Sequence, residues 1–529
     1  MRRLLVSLFV ILAAIAVKSQ SSIDVLHYAY SIELTDNNDT IRGQATLLTR
    51  FVHSTENLLL DLTAPGKEGK GMIASAFLPN GKALTTKQSG EELDIRLPKE
   101  YRVGDTLTVV IHYKGIPADG LIISKNKYGN RTFFADNWPN RGHNWIPCHD
   151  DPADKASVEF IVTAPMHYQV VANGIQVEET NLSADKKRTH WKEEVPISTK
   201  VMVIGVADFA VNLSGFVNDC IPVYSWVYPE DRNKGFYDYA LAADILPWFI
   251  NNIGPYAYKK LANVESKTRF GGLENANTIF YSEQSIDGAR GAETLLAHEI
   301  AHQWFGNMAT EKTFAHLWLS EGFATYMTIL YMENKYGADT AIAMLQEDRL
   351  QVIEYSSRTD KPVVNPTSNY MQLLNPNSYQ KGGWVLHMLR RELGDSVFRK
   401  VIRQYYSTYA GKTADTDDFR KVVETVSGKN WERFFRQWLF TPGVPELAIN
   451  WSYDSKAKKI TLTVSQKKTD FQFPLEIGLE DATGKISIIK MTINSAEQTI
   501  TVPVKGRPVS VIADPPISLL HSATVIEGK

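Results

Sequence analysis

The sequence predicts a multidomain α+β chain: an N-terminal antiparallel β domain, a central α/β domain and a C-terminal β-sandwich. Three observations carry that reading. Short alternating strands with β-branched residues fill the chain from Ser22 to about Val211, helical patterning takes over from about Leu213, and evenly spaced strands return after Pro445. A chain of 529 residues also exceeds what one hydrophobic core serves. The expected bounds are 20–212, 213–443 and 444–529, behind a leader at 1–19.

In the leader, Arg2 and Arg3 precede the apolar run 4–17, and small and polar residues follow at 18–22, the layout of a secretory signal peptide. The run is shorter than the roughly 20 residues that span a bilayer, so cleavage is expected, with export to a periplasmic or extracellular location and no stable membrane insertion afterwards. Charged residues at 22% and hydrophobic ones at 43% describe an ordinary globular chain. A net charge of -2 gives no basic surplus for a nucleic-acid partner. Cys148 and Cys220 are too few for a disulfide scaffold and read as small buried thiols.

Within the first domain, residues 58–62, 106–113, 157–163 and 201–209 read as strands. Segment 141–156 is dense in Pro, Asp and Trp and reads as a rigid turn entering a strand. Its His143 and His149 read as histidines of a structured loop rather than metal ligands.

The central domain opens with one predicted helix over 236–253. Residues 261–281 read as extended chain interrupted by Gly271 and Gly272, which permit close approach of another backbone. A strand edge exposed there at a cleft binds an extended peptide by strand addition. The stretch Thr294-Leu-Leu-Ala-His298-Glu299-Ile-Ala-His302-Gln-Trp-Phe-Gly306 follows. On a helix, positions four apart share a face, so His298 and His302 aim at one point, with Glu299 beside them. Leu296, Ile300 and Trp304 fall on the opposite, apolar face, and Gly306 reads as the C-cap. A catalytic zinc takes three protein ligands and keeps one position for water. Glu321, in Trp318-Leu-Ser-Glu321-Gly-Phe-Ala-Thr-Tyr, sits where a second helix packed alongside supplies the third ligand, giving one Zn2+ per chain.

Further helices are predicted at 338–354, 379–393 and 396–409, then from Thr416 as N-cap to Gly428, and last at 431–440. Thr441-Pro-Gly-Val-Pro445 closes the domain. At least five strands follow, at 448–453, 459–466, 473–479, 486–493 and 498–504, a pattern that suggests a small sandwich.

Several separated motifs resemble the aminopeptidase N and leukotriene hydrolase family of zinc metallopeptidases, the gluzincins, in a short three-domain form. They are Gly271-Gly-Leu-Glu-Asn275, the two zinc helices with Glu321, Ser378-Tyr379-Gln-Lys-Gly382, and Pro147-Cys148-His-Asp150-Asp-Pro152 with Lys155-Ala156. The resemblance covers roughly residues 25 to 445. It implies a thermolysin-like catalytic domain, a third-domain role for the sandwich, and no large C-terminal helical domain of the kind many members carry.

It further implies that His298, His302 and Glu321 bind zinc, that Glu299 is the general base, that Glu274 anchors the substrate's free amine, and that Tyr379 donates to the developing oxyanion. Gly271, Gly272, Leu273, Glu274 and Asn275 would then line the substrate, with Leu273 walling the first side-chain pocket. The expected activity is a zinc-dependent aminopeptidase that removes a neutral or apolar N-terminal residue from peptides with a free N-terminus. Two departures stand out. Trp138 occupies the place of a Gln that contacts the amine in many relatives, leaving Asp136 and Asn137 beside it as candidate replacements, and Ser320 replaces the usual Asn before the zinc glutamate.

Overall fold

A computed structural model describes residues 22–467 and 471–528. The expected leader at 1–19 lies outside the described residues.

The N-terminal part is dominated by a 10-stranded sheet, with a 4-stranded sheet beside it. Along Lys155–Pro165 every second residue is buried, so one face meets the core while the other stays partly wet. The sheet is not wholly antiparallel, because Ile23–Glu33 pairs antiparallel with Ile41–Phe51 but parallel with Lys155–Pro165. A parallel pair needs a long crossover, and the intervening strands supply it.

A 5-stranded sheet follows in the order Ala210–Val217, Ile221–Val227, Leu261–Ser266, Thr278–Ser282 and Gly272–Leu273. Leu261–Ser266 pairs parallel on both sides and is buried along its whole length. Gly272–Leu273 is left at the sheet's edge.

The helices are α1 (Arg232–Tyr239), α2 (Ala242–Asn252), α3 (Glu293–Ala301), α4 (Trp318–Tyr336), α5 (Ala338–Ser356), α6 (Gly382–Leu393), α7 (Asp395–Tyr409), α8 (Thr416–Ser427) and α9 (Glu432–Leu439). A single π turn, Asn377–Lys381, leads into α6. The helix expected over 236–253 is two helices. Near the break, the buried Asp238 carboxylate accepts the N–H groups of Asp287, Gly288 and Arg290, a tertiary commitment that apolar periodicity does not display. α3 ends at Ala301 with His302 as its cap, earlier than Gly306, which sits at φ +108° in the turn beyond. The N-cap of α8 is Asp415, in a capping box with Asp418, because the Thr416 hydroxyl is taken by His316 and the Trp318 indole.

The C-terminal part is two packed sheets of four and three strands, adding Ser510–Ala513 and Ser522–Glu527 to the five expected. It docks on the helices through His387 Nε2, which donates to the Ile517 carbonyl at 2.7 Å, and through Arg349 paired with the buried Asp514 at 3.0 Å. Both cysteines are free, and Cys220 is exposed rather than buried because it lies in a surface turn between two strands.

Candidate active site

Helix α3 presses Leu296 and Ile300 into the core, and Trp304 continues that apolar side just past its end. The opposite side therefore faces α4. His298 Nε2 and His302 Nε2 approach to 3.1 Å, and Glu321 Oε2 of α4 lies 3.3 Å from the first and 3.2 Å from the second. Among the described residues this is the single His/Cys/Asp/Glu group able to hold a metal ion, with its donor atoms all within 4.8 Å of one another. Two imidazoles and a carboxylate are a fitting donor set for zinc. The tautomer also fits, because His302 Nδ1 lies 3.0 Å from the Phe305 carbonyl, which accepts its N–H and leaves Nε2 free for a cation. Ser320 Oγ sits 3.1 Å from the same Nδ1, so the departure at that position touches the ligand's orientation and not the donor set.

The electrostatics fit as well. Burial works against ionisation of Glu321, but His302 and His298 outweigh it and hold the carboxyl well below the usual range. Burial likewise lowers His302, yet the Glu321 carboxylate raises it to about 10. The three side chains together draw positive charge to one point. Glu299, next to His298, is buried, and that burial pushes its carboxyl well above the ordinary value, helped by the negative charges of Glu274 and Glu321.

A cavity of about 740 Å³ opens over this group. Gly271, Gly272, Leu273 and Glu274 line one side, and Gly272 is the position where no side chain fits: a Cβ there would fall 2.3 Å from Glu299 Oε1. The edge strand thus runs in contact with Glu299. Glu274 is buried, its Oε1 has no hydrogen-bond partner among the described residues, and its backbone carbonyl accepts from Gln303 Nε2 at 3.1 Å and Asn307 Nδ2 at 2.7 Å. Gln303 and Asn307 follow the second histidine directly, so the same stretch that positions the metal group also fixes the residue that faces it. Asn275 is fully buried and outside the cavity lining, since the chain turns back there with Asn275 N–H bonded to the Leu273 carbonyl at 2.8 Å.

Tyr379 reaches the cavity from the π turn, its ring stacked on His298 at 6.1 Å between centroids and 14° between planes. Burial, with Glu321 and Glu274 close by, pushes the phenol well above 10, so it stays protonated. The turn is anchored by Lys381, whose ammonium donates to the Gly443 carbonyl at 2.7 Å, with burial lowering its pKa to about 7.

Trp138 lines the cavity, edge-on to Phe270 at 6.0 Å. Asp136 and Asn137 do not. Asp136 pairs with Arg141 and accepts from the Arg269 N–H, while Asn137 donates to the Thr199 and Met202 carbonyls and accepts from the Trp145 indole. His143 and His149 pair with Asp150 at 2.7 Å and Asp154 at 3.0 Å, a structured loop rather than a metal group.

Two supports and one lining residue had no sequence signal strong enough to single them out for these roles. Lys155 Nζ donates to the Asn307 carbonyl at 3.0 Å and the Met308 carbonyl at 2.7 Å, and Lys200 pairs with the buried Glu311. Both lysines come from the N-terminal part and grip the chain just past the histidines. The lining residue is Asp348 of α5.

Two histidines one turn apart on a helix, joined by a glutamate from the next helix beneath an edge strand, define a metallopeptidase scaffold. Comparison with known families agrees: the "Peptidase family M1 domain" matches residues 237–438 and the "Peptidase M1 N-terminal domain" matches residues 25–201, together most of the chain. The chain belongs to the M1 family of peptidases, the aminopeptidase N group of gluzincins. Among its relatives, glutamyl aminopeptidase of Homo sapiens is 25% identical over 523 residues, covering 90% of this chain and 53% of the relative. Probable aminopeptidase 2 of Sulfurisphaera tokodaii is 28% identical over 406 residues, 72% of this chain and 50% of the relative. Alanine/arginine aminopeptidase of Saccharomyces cerevisiae is 28% identical over 377 residues, 66% of this chain and 43% of the relative. The chain spans about half the length, or less, of these curated relatives.

Proposed function

We propose that this protein is a zinc-dependent aminopeptidase that hydrolyses the first peptide bond of peptides with a free N-terminus. The observation that carries the reading is Glu274: a buried carboxylate without a cationic partner among the described residues, on the wall of the same cavity as a three-donor metal group. An unpaired buried carboxylate is costly, and a substrate ammonium offsets that cost. Gripping the amine makes the site count from the N-terminus, which separates removal of one residue from internal cleavage.

His298, His302 and Glu321 would hold the zinc. When bound there, zinc acts as a Lewis acid and lowers the pKa of water toward ~7. Glu299 takes the proton from the attacking water and passes it to the leaving nitrogen. Tyr379, kept protonated by its surroundings, donates to the oxygen on which negative charge develops. The edge strand Gly272–Leu273 aligns the substrate backbone, and Trp138, Phe270 and Leu273 give the first side chain an apolar wall that favours neutral or apolar residues.

Export is part of the proposal, supported by the layout of Arg2, Arg3 and the apolar run 4–17. Among the described residues, no helix is long and apolar enough to cross a membrane. N-terminal sequencing of the mature protein tests this.

The activity is tested by offering one peptide with a free amine and its N-acetylated copy. Release of the first residue from the free peptide alone is expected, and equal cleavage of both would exclude the proposal. Glu274→Gln is expected to raise KM for the free peptide while leaving the metal content intact.

A further inference from the structure

The cavity lining contains four carboxylates, Glu274, Glu299, Glu321 and Asp348, and no lysine or arginine. Three of the four have a place in the chemistry just described. Asp348 has none.

It sits on α5, which packs against α4 and against the π turn that carries Tyr379, whereas Gly272–Leu273 packs against α3 and Thr278–Ser282. Asp348 and its cavity neighbours Thr328, Met344 and Gln351 therefore belong to the wall built by the Glu321 helix and its successor, apart from the strand that carries Glu274. The neighbouring Arg349 is not available to neutralise it, being paired with the buried Asp514 of the C-terminal part at 3.0 Å. Asp348 makes no hydrogen bond or ion pair with any described residue. Burial, with Glu347 alongside, raises its carboxyl to about 7, so holding it ionised is unfavourable until a cation arrives.

We propose that Asp348 is a specificity-determining residue: with Thr328 and Gln351 around it, it forms a subsite for a lysine or arginine side chain on the leaving side of the scissile bond. The assignment of the leaving side rests on the function proposed above. With the first residue's amine at Glu274, its carbonyl over the three-donor group and the backbone held on the edge strand, the α4–α5 wall is left to meet the side chain that follows the scissile bond. Met344 and Ile329 supply apolar surface for the methylene stem of a long basic side chain, and the carboxylate meets its charged end.

The test compares kcat/KM for Leu-Arg-Ala, Leu-Gln-Ala, Leu-Glu-Ala and Arg-Leu-Ala on the full chain, with a leucyl arylamide as reference substrate. Wild type should favour Leu-Arg-Ala over Leu-Gln-Ala by roughly tenfold, the size of about one partly buried ion pair, and disfavour Leu-Glu-Ala. In Asp348→Asn, and in Asp348→Ser as a second neutral variant, the Arg-to-Gln ratio should fall to near one. In Asp348→Lys, Leu-Glu-Ala should overtake Leu-Arg-Ala. Ratios within one variant cancel any general loss of activity. A wild-type ratio near one, a ratio unchanged in the neutral variants, or a preference shown by Arg-Leu-Ala alone would overturn the inference while the arylamide is still cleaved. Failure to cleave the arylamide and all four peptides would instead overturn the aminopeptidase proposal, and this subsite with it.

Discussion

Gly322 and Gly382 meet backbone to backbone. A Cβ on Gly322 would lie 2.8 Å from the Gly382 Cα, and one on Gly382 would lie 3.0 Å from the Gly322 Cα. The contact seats α4 against the start of α6, one residue after Glu321 and three after Tyr379, so it sets the spacing between a metal-group side chain and the phenol. Gly322→Ala must spread the two helices and is expected to cost about 1–3 kcal/mol. Urea unfolding and peptide turnover, measured together, check this. A midpoint and a rate both like wild type would show that the helices do not need the glycine.

Removing the metal is expected to abolish turnover and lower Tm, and added zinc should restore both. Ligand linkage at a thousandfold excess over Kd is worth about 4 kcal/mol. His302→Ala should lose its metal by elemental analysis. A full complement of zinc in that variant would place the ion elsewhere.

Glu299→Gln keeps the size and hydrogen-bonding shape of the side chain but not its basicity. It should retain metal and lose about 10²–10⁴ in kcat, the usual reach of a general base. Retained activity would remove Glu299 from the mechanism.

Tyr379→Phe deletes one donor from a wall otherwise unchanged. A loss of about 10²–10³ in kcat with little change in KM is expected, because the bond strengthens only as charge develops. A pure KM effect would instead mark a ground-state contact.

Lys381 gives a pH signature. Its folded-state pKa of about 7 lies below the ordinary 10.5, with burial as the cause. Between those values the unfolded chain binds more protons than the folded one, so stability rises with pH. Below about 7 both states are protonated and the full cost of burying the charge is present. The stability of wild type relative to Lys381→Met should therefore improve, on the order of a few kcal/mol, as pH climbs from about 7 to 10.5. Urea unfolding of the pair across this range measures it, and a flat difference would show that the ammonium is not penalised in the fold.

Much of the site was legible because its parts obey local rules. His298 and His302 share a face by helical spacing, and Gly272 announces a close approach that turns out to be to Glu299. What escaped were long-range arrangements. Asp348 is one acidic residue on a helix, and nothing in its neighbours in sequence tells that Arg349 is turned to Asp514 while Asp348 meets the cavity. The split of α1 from α2 depends on Asp238 and a loop some fifty residues away, and the shift of the α8 cap to Asp415 depends on side chains about a hundred residues upstream. The departure at Trp138 could be noticed in sequence, but only the committed partners of Asp136 and Asn137 show that neither replaces the missing side chain.

Lys155 and Lys200 work as fasteners between two modules. Because one holds the carbonyls of Asn307 and Met308 and the other pairs with Glu311, the exit from the histidine helix is clamped from outside the module it belongs to. A fragment starting beyond Val203 would keep every donor yet lose both clamps. The N-terminal part thus acts as a jig for a metal group to which it lends no donor, and the grip on the ion should slacken when the seam opens, before the central core melts.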